Sequence, residues 1–282
     1  MLKHRFLTAI MLILVFSLSL ISENDKNFMV FLSIVISLVL WEWLLMSVPV
    51  YVSKKKCTAV AIFLFMAMML SLTFISINNI IKYKYIIYRV ILIINIIWLF
   101  ISFVSVFLAR IFSNIERLLI SIFSVILCSV VWFILIFYYI SYNSWFIISL
   151  LIFICLIDTS GYFVGKYIGK KKLAYKISPN KTIAGAVSGI CFSVIWFYIS
   201  SFISDSFSSV LIYKWSLFLA LLFSIILSFL AIFGDLFESL LKRNSGIKDS
   251  SNLLPGHGGV YDRFDGIISV IPTMFLLSEV SF

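Results

Sequence analysis

Imidazole is nearly missing from this chain: His4 and His257 are the only histidines in 282 residues, too few for an ordinary zinc site. Cysteine is little better represented. Cys57, Cys128, Cys155 and Cys191 are scattered through apolar runs with no CxxC pair and no histidine at ligand spacing, so they read as small core residues. Charge is the third scarcity. Charged residues make up 12% of the chain against 63% hydrophobic, whereas a soluble domain is about half apolar. That balance excludes a soluble fold and indicates an integral membrane protein. The net charge of +10 does not argue for nucleic acid as a partner, because the basic residues sit in short segments between apolar runs, where they orient helices in a lipid bilayer. A Walker A phosphate loop is also missing. The GxxxGK runs at Gly161 to Lys166 and Gly165 to Lys170 have the wrong spacing and no following Ser or Thr.

What is present is apolar sequence in lengths that cross a bilayer, about 20 residues per helix. Such runs fall at 6–22, 28–52, 57–77, 85–109, 118–140, 145–157, 183–203, 215–234 and 266–282. They predict an all-α, polytopic protein with about nine transmembrane helices, the sixth continuing through the weakly polar stretch from Asp158 to Tyr167. Lysine and arginine are retained on the cytoplasmic side. With the N-terminus inside, seventeen of these residues fall inside, against five (Lys26, Lys82, Lys84, Arg89 and Lys214) outside or near the outer interface. The expectation is a cytoplasmic N-terminus and, for a bacterial protein, the plasma (inner) membrane. No small-x-small cleavage pattern precedes Glu23, so the first run reads as a span rather than a signal sequence. In the second run Trp41, Glu42 and Trp43 stand together; a carboxylate at that depth is costly and calls for a partner.

The polar chemistry collects in two segments, 158–182 and 235–265, so the chain is expected to divide into N-terminal transmembrane helices over 1–157 and a C-terminal catalytic region over 158–282. In the first segment Gly161, Gly165 and Gly169 recur every four residues, the spacing of close helix packing, which also permits a homodimer. Asp158 at the inner end of the sixth span must be hydrated, paired or bound to metal. Lys170, Lys171, Lys172 and Lys176 enforce topology and attract anionic headgroups. Ser178-Pro179-Asn180-Lys181-Thr182 forms a stiff turn before the seventh span, where Ser178 and Lys181 suit a phosphate, although a hydroxyl there is ordinarily a helix cap.

In the second segment a helix continued through Lys242 carries Asp235, Glu238 or Ser239, and Lys242 on one face. Pro255-Gly256-His257-Gly258-Gly259 makes a tight loop whose amides can approach an anion. Asp262, Arg263 and Asp265 follow, with the two carboxylates expected on one side of a helix that opens the ninth span. Carboxylates at a low-dielectric boundary repel unless protonated, paired or bridged. Asp235, Asp262 and Asp265 are therefore expected to bind magnesium, which prefers a few carboxylates plus water and phosphate oxygens, with Lys242 and Arg263 neutralising phosphate charge.

The segment resembles the signature of the phosphatidate cytidylyltransferases, or CDP-diacylglycerol synthases. The match runs through S-x-x-K-R from Ser239 to Arg243, K-D at Lys248 and Asp249, and P-G-H-G-G-x-x-D-R-x-D from Pro255 to Asp265. It extends to the SPNKT stretch, the residues from Asp158 to Lys172, the WEW triplet and the basic LKHR start. Two departures stand out: Ala184 where the family commonly has Glu or Gln, and Ser160-Gly161-Tyr162 where it has Gly-Ala-Tyr. The resemblance implies transfer of a cytidylyl group from CTP to phosphatidic acid, giving CDP-diacylglycerol and pyrophosphate. It also implies Asp262 as the central metal ligand, Lys242 as a phosphate contact, and a monovalent cation such as K+ beside Mg2+. Ser239, Arg243, Lys248, Asp249, His257 and Arg263 are then substrate-binding candidates, His257 as a loop-ordering or phosphate donor.

Two other classes are weighed against this one. The CDP-alcohol phosphotransferases, another group of membrane lipid enzymes, begin their motif DGxxAR, whereas Asp265-Gly266 is followed by Ile267, Ile268, Ser269 and Val270. An ion-coupled transporter would place ionisable residues near the middle of several spans, whereas here they gather at inner ends.

Overall fold

The structure, a computed structural model, describes residues 14–20, 25–49, 51–74, 77–256 and 258–280, of which 77–81 by their backbone alone. After a helical stretch at 14–20 come α1 (Asp25–Ser47), α2 (Lys54–Ser71), α3 (Ile77–Leu108), α4 (Asn114–Ser141) and α5 (Ser144–Tyr167). Strands β1 (Lys172–Ala174) and β2 (Ser178–Thr182) follow, then α6 (Ile183–Ser200), α7 (Phe207–Lys214), α8 (Leu217–Asn244), a 3-10 turn at Tyr261–Arg263 and α9 (Asp265–Glu279). Among the described residues the protein is all-α apart from one small hairpin and an isolated bridge between Leu254 and Gly258.

Among the described residues six helices are long and apolar enough to cross a membrane: α1, α3 from Lys82, α4, α5, α6 and α8. They answer to six of the nine expected spans, and the expected run-on of the sixth through Tyr167 is seen in α5. The run at 6–22 lies mostly outside the described residues. Those at 57–77 and 266–282 correspond to α2, which has 18 residues and opens on three lysines, and to the 15-residue α9.

The chain divides into two compact units, each made of separated segments. One comprises Met1–Tyr83, Ile111–Ile136 and Leu241–Phe264. Here α1 buries Phe28, Leu32, Ile36, Val39, Leu40 and Trp43. Since lipid tails are as apolar as leucine, helices in a bilayer associate by close packing and by hydrogen bonds averaging about 0.6 kcal/mol each. Trp132 donates to the Ser33 hydroxyl at 2.8 Å, and the Ser47 and Ser121 hydroxyls pair at 2.8 Å. Helix α4 begins with a reciprocal cap: Ser113 N donates to Glu116 Oε2 at 2.8 Å, and Glu116 N donates to the Ser113 hydroxyl at 3.3 Å. The end of α8 is closed by bonds from Ile247 N to Lys242 O and from Gly246 N to Arg243 O, with Gly246 at φ +71°, the left-handed stop that glycine adopts without strain.

The other unit comprises Lys84–Arg110, Phe137–Leu240 and Asp265–Phe282. Glycines let two of its helices approach closely. A Cβ on Gly185 of α6 would lie 2.5 Å from Gly161 O of α5, and one on Gly165 would lie 2.9 Å from the Thr182 hydroxyl. The helix-packing expectation for Gly161 and Gly165 is met within this unit, while Gly169 falls beyond the end of α5. Thr182 caps α6 by accepting from Gly185 N at 3.1 Å. Gly185→Ala is expected to cost about 1–3 kcal/mol through overpacking, read as a lower melting temperature in detergent.

The SPNKT stretch, expected as a turn, is instead β2, antiparallel to β1 with Lys172 opposite Thr182 and Ala174 opposite Ser178. Its proline can be accommodated because a two-stranded ribbon leaves each strand an edge.

Candidate active site

In the second unit, residues of α8, α9 and β2 converge. Asp235 and Glu238 stand one turn apart on α8, as their i, i+3 spacing requires, and Ser239 donates to Asp235 Oδ1 at 3.4 Å. Asp265, the first residue of α9, joins them because Gly234 lets the helices touch. A Cβ on Gly234 would lie 2.1 Å from the Ser269 hydroxyl and 2.7 Å from Asp265 O. One carboxylate oxygen from each of Asp235, Glu238 and Asp265 falls within 4.8 Å of the others. Lys181 of β2 forms an ion pair with Asp235 Oδ2.

Glu238 and Asp265 are buried. Asp265 lies ahead of the apolar run that begins at Gly266. Burial pushes its carboxyl well above the usual carboxylate range, the charges of Asp235 and Asp158 add to that, and Lys181 and the Gly266 N–H oppose it. The trio offers only hard oxygen donors, the set that magnesium takes.

The first unit holds the rest of the predicted residues. Lys242, in the last turn of α8, donates to Asp262 Oδ1 at 2.8 Å. Asp262 also accepts from Gly259 N at 2.8 Å and from Ser250 N at 3.2 Å. The glycine loop is folded over this carboxylate, for Gly258 has φ +85° and a Cβ there would lie 2.4 Å from Asp262 Oδ2. Asp262 sits in the 3-10 turn, and α9 starts only at Asp265. The two carboxylates therefore do not share one side of a helix: the break at Phe264 ends the helical register between them.

Within the second unit the carboxylates brought together are thus Asp235, Glu238 and Asp265, while Asp262 belongs to the first unit and its oxygens are engaged there. Arg243, Lys248, Asp249 and Arg263 are exposed, and Ser178 is half-buried. His257 lies outside the described residues.

Residues 3–281 match the sequence profile of the cytidylyltransferase family. The chain belongs to that family. Relatives of the family named phosphatidate cytidylyltransferase include one from Staphylococcus haemolyticus, 41% identical over 132 residues, 47% of this chain and 48% of the relative. One from Bacillus subtilis is 42% identical over 120 residues, 43% and 42% of the two chains, and one from Pseudomonas aeruginosa is 40% identical over 131 residues, 46% of each. The chain spans a little under half the length of the curated relatives it matches. With the six apolar helices, membership describes a multi-pass integral membrane cytidylyltransferase-family protein.

Sequence reasoning for this family member missed the partners of Glu42. That residue is fully buried. Its carboxylate accepts from the Ser250 hydroxyl at 2.8 Å, the Ser251 hydroxyl at 2.6 Å, Val260 N at 3.0 Å and Tyr261 N at 2.7 Å. A lone acid in an apolar run signals a partner, but nothing local names one more than 200 positions away.

Proposed function

We propose that this chain is a phosphatidate cytidylyltransferase that converts CTP and phosphatidic acid to CDP-diacylglycerol and pyrophosphate in phospholipid biosynthesis. The observation that carries the reading is the meeting of Asp235, Glu238 and Asp265, with Lys181 on Asp235, in an apolar helical unit of a cytidylyltransferase-family chain. The relatives' shared name supports it. Facing the cytoplasm at the inner membrane of a bacterium, the polar segments would meet both a water-soluble nucleotide and an anionic lipid.

In this reading an ionised phosphate oxygen of phosphatidic acid bonds to the α-phosphorus of CTP. The bond from that phosphorus to the oxygen bridging towards the β-phosphate breaks, and pyrophosphate leaves. No proton has to be removed, so positioning and charge stabilisation supply the rate. Asp235, Glu238 and Asp265 would hold Mg2+, with K+ as its companion, while Asp262 holds Lys242. When bound, the cation polarises a phosphoryl oxygen and offsets charge. Lys242, Arg243, Lys248 and Arg263 draw in the phosphates, Ser178 and Lys181 contact a second phosphate, and Ser239 orients Asp235. Asp249 contacts the substrate, and His257 orders the loop or donates to a phosphate.

The test is purified protein in phosphatidate vesicles with CTP labelled in the cytosine ring. The expected result is label in the extracted lipid with equimolar pyrophosphate, lost in chelator and restored by Mg2+. Label entering the vesicle lumen with none in lipid would instead indicate transport, and an absence of phosphatidate-dependent lipid label would overturn the proposal.

A further inference from the structure

Glu42 is held by four donors. Each oxygen takes one hydroxyl and one backbone N–H: Oε1 from Ser251 and Val260, Oε2 from Ser250 and Tyr261. An ionised carboxylate has about four lone-pair sites and no donor of its own, so its capacity is filled. The donors come from the two ends of one loop, residues 250–251 and 260–261, which the side chain therefore ties together. Asp262 grips the first stretch and the residue just before the second through other atoms, the Ser250 N–H and the Gly259 N–H. Gly259 is wedged between, since a Cβ there would lie 1.9 Å from the Ser250 hydroxyl and 2.4 Å from Glu42 Oε2. Trp43 stacks on Tyr261 at 5.0 Å and 16°, seating the same turn against α1.

We infer that Glu42 is the positioning residue for the Asp262–Lys242 pair: a carboxylate on a membrane helix that templates the glycine loop and so sets where the Asp262 carboxylate stands. A buried ionised group is tolerated only when its hydrogen-bonding capacity is met, and here it is met wholly by the loop. The loop's shape and the charge on Glu42 therefore sustain one another. The catalytic half of this inference rests on the cytidylyl-transfer reading; the templating half does not.

Glu42→Gln keeps the volume but points an amide donor at two of the four donors. Glu42→Asp is smaller but keeps the acceptors and the charge. A packing role favours Gln over Asp, and a templating role favours Asp over Gln. The expected result for Glu42→Gln is a kcat lower by about 100-fold with KM for CTP little changed, faster amide hydrogen exchange over 258–264, and partial recovery of both in Glu42→Asp. Should Glu42→Gln not be recovered folded, Ser250→Ala combined with Ser251→Ala removes the two hydroxyl donors while retaining the carboxylate, and the same losses are expected on a smaller scale. Exchange over 258–264 unchanged in the folded variant, or an active wild type whose Glu42→Gln form keeps its kcat, overturns the inference. If the wild type turns over no CTP, the cytidylyl-transfer reading fails while the exchange measurement still decides the templating claim.

Discussion

Asp262→Asn is expected to reduce cytidylyl transfer by about 1,000-fold while leaving the protein inserted and helical. The magnitude follows from what the carboxylate holds. Its side chain is 9% exposed, and it receives Lys242 together with the N–H groups of Gly259 and Ser250. Removing one preorganised electrostatic group from a reacting centre costs about 100- to 1,000-fold in rate, and leaving the buried Lys242 charge without its partner puts this substitution at the upper end. Asparagine also turns an amide donor towards Lys242 or Gly259 N. A cycle with Lys242→Met separates the pair from the rest of the loop, since residues acting together give non-additive losses. Radiolabelled CTP incorporation into lipid is the measurement, with circular dichroism as the control for folding. Substantial retained activity in Asp262→Asn rejects the role assigned to this residue.

Asp265→Asn has the second large effect, and it runs in opposite directions for activity and stability. Asp265 is buried, beside Asp235 and Glu238, and its ionised form is opposed by burial and by neighbouring negative charge. An amide retains an oxygen for the Gly266 N–H, which lies 2.7 Å from Oδ1 in the wild type, and removes the need to neutralise a buried charge. In chelator the variant should therefore melt higher than the wild type, by about 2–4 °C for each kcal/mol relieved in a chain of this size. Its Mg2+-dependent transfer should fall by 100-fold or more, the order of loss when one preorganised electrostatic group is removed from a reacting centre. Such an exchange of stability for function is common where charge is concentrated for a task. Unchanged melting together with wild-type Mg2+ response would reject the cation assignment for the trio.

How much of this could be read along the chain depends on the range of each signal. Apolar runs report helices because bilayer thickness and backbone hydrogen bonding leave no other economical way across. The face shared by Asp235, Glu238 and Lys242 is likewise local, since 3.6 residues per turn dictate it once α8 continues to Asn244. The packing role of Gly161 and Gly165 followed from their four-residue spacing, but their partners, Gly185 and Thr182, did not. Ser178 to Thr182 showed a turn-forming proline, and only strand pairing with Lys172 to Ala174 decided its form.

By itself, then, the sequence determined a multi-pass helical membrane protein with its polar residues gathered in two segments and a motif of the cytidylyltransferases. Tertiary structure alone decided which charges meet. It set Glu238 beside Asp235 and Asp265, turned Asp262 to Lys242 and the glycine loop, and gave Glu42 its four donors from residues 250–261. Helical periodicity is written in neighbouring residues, whereas the pairing of a buried charge is chosen by whichever donors the packed helices bring within about 3 Å of it.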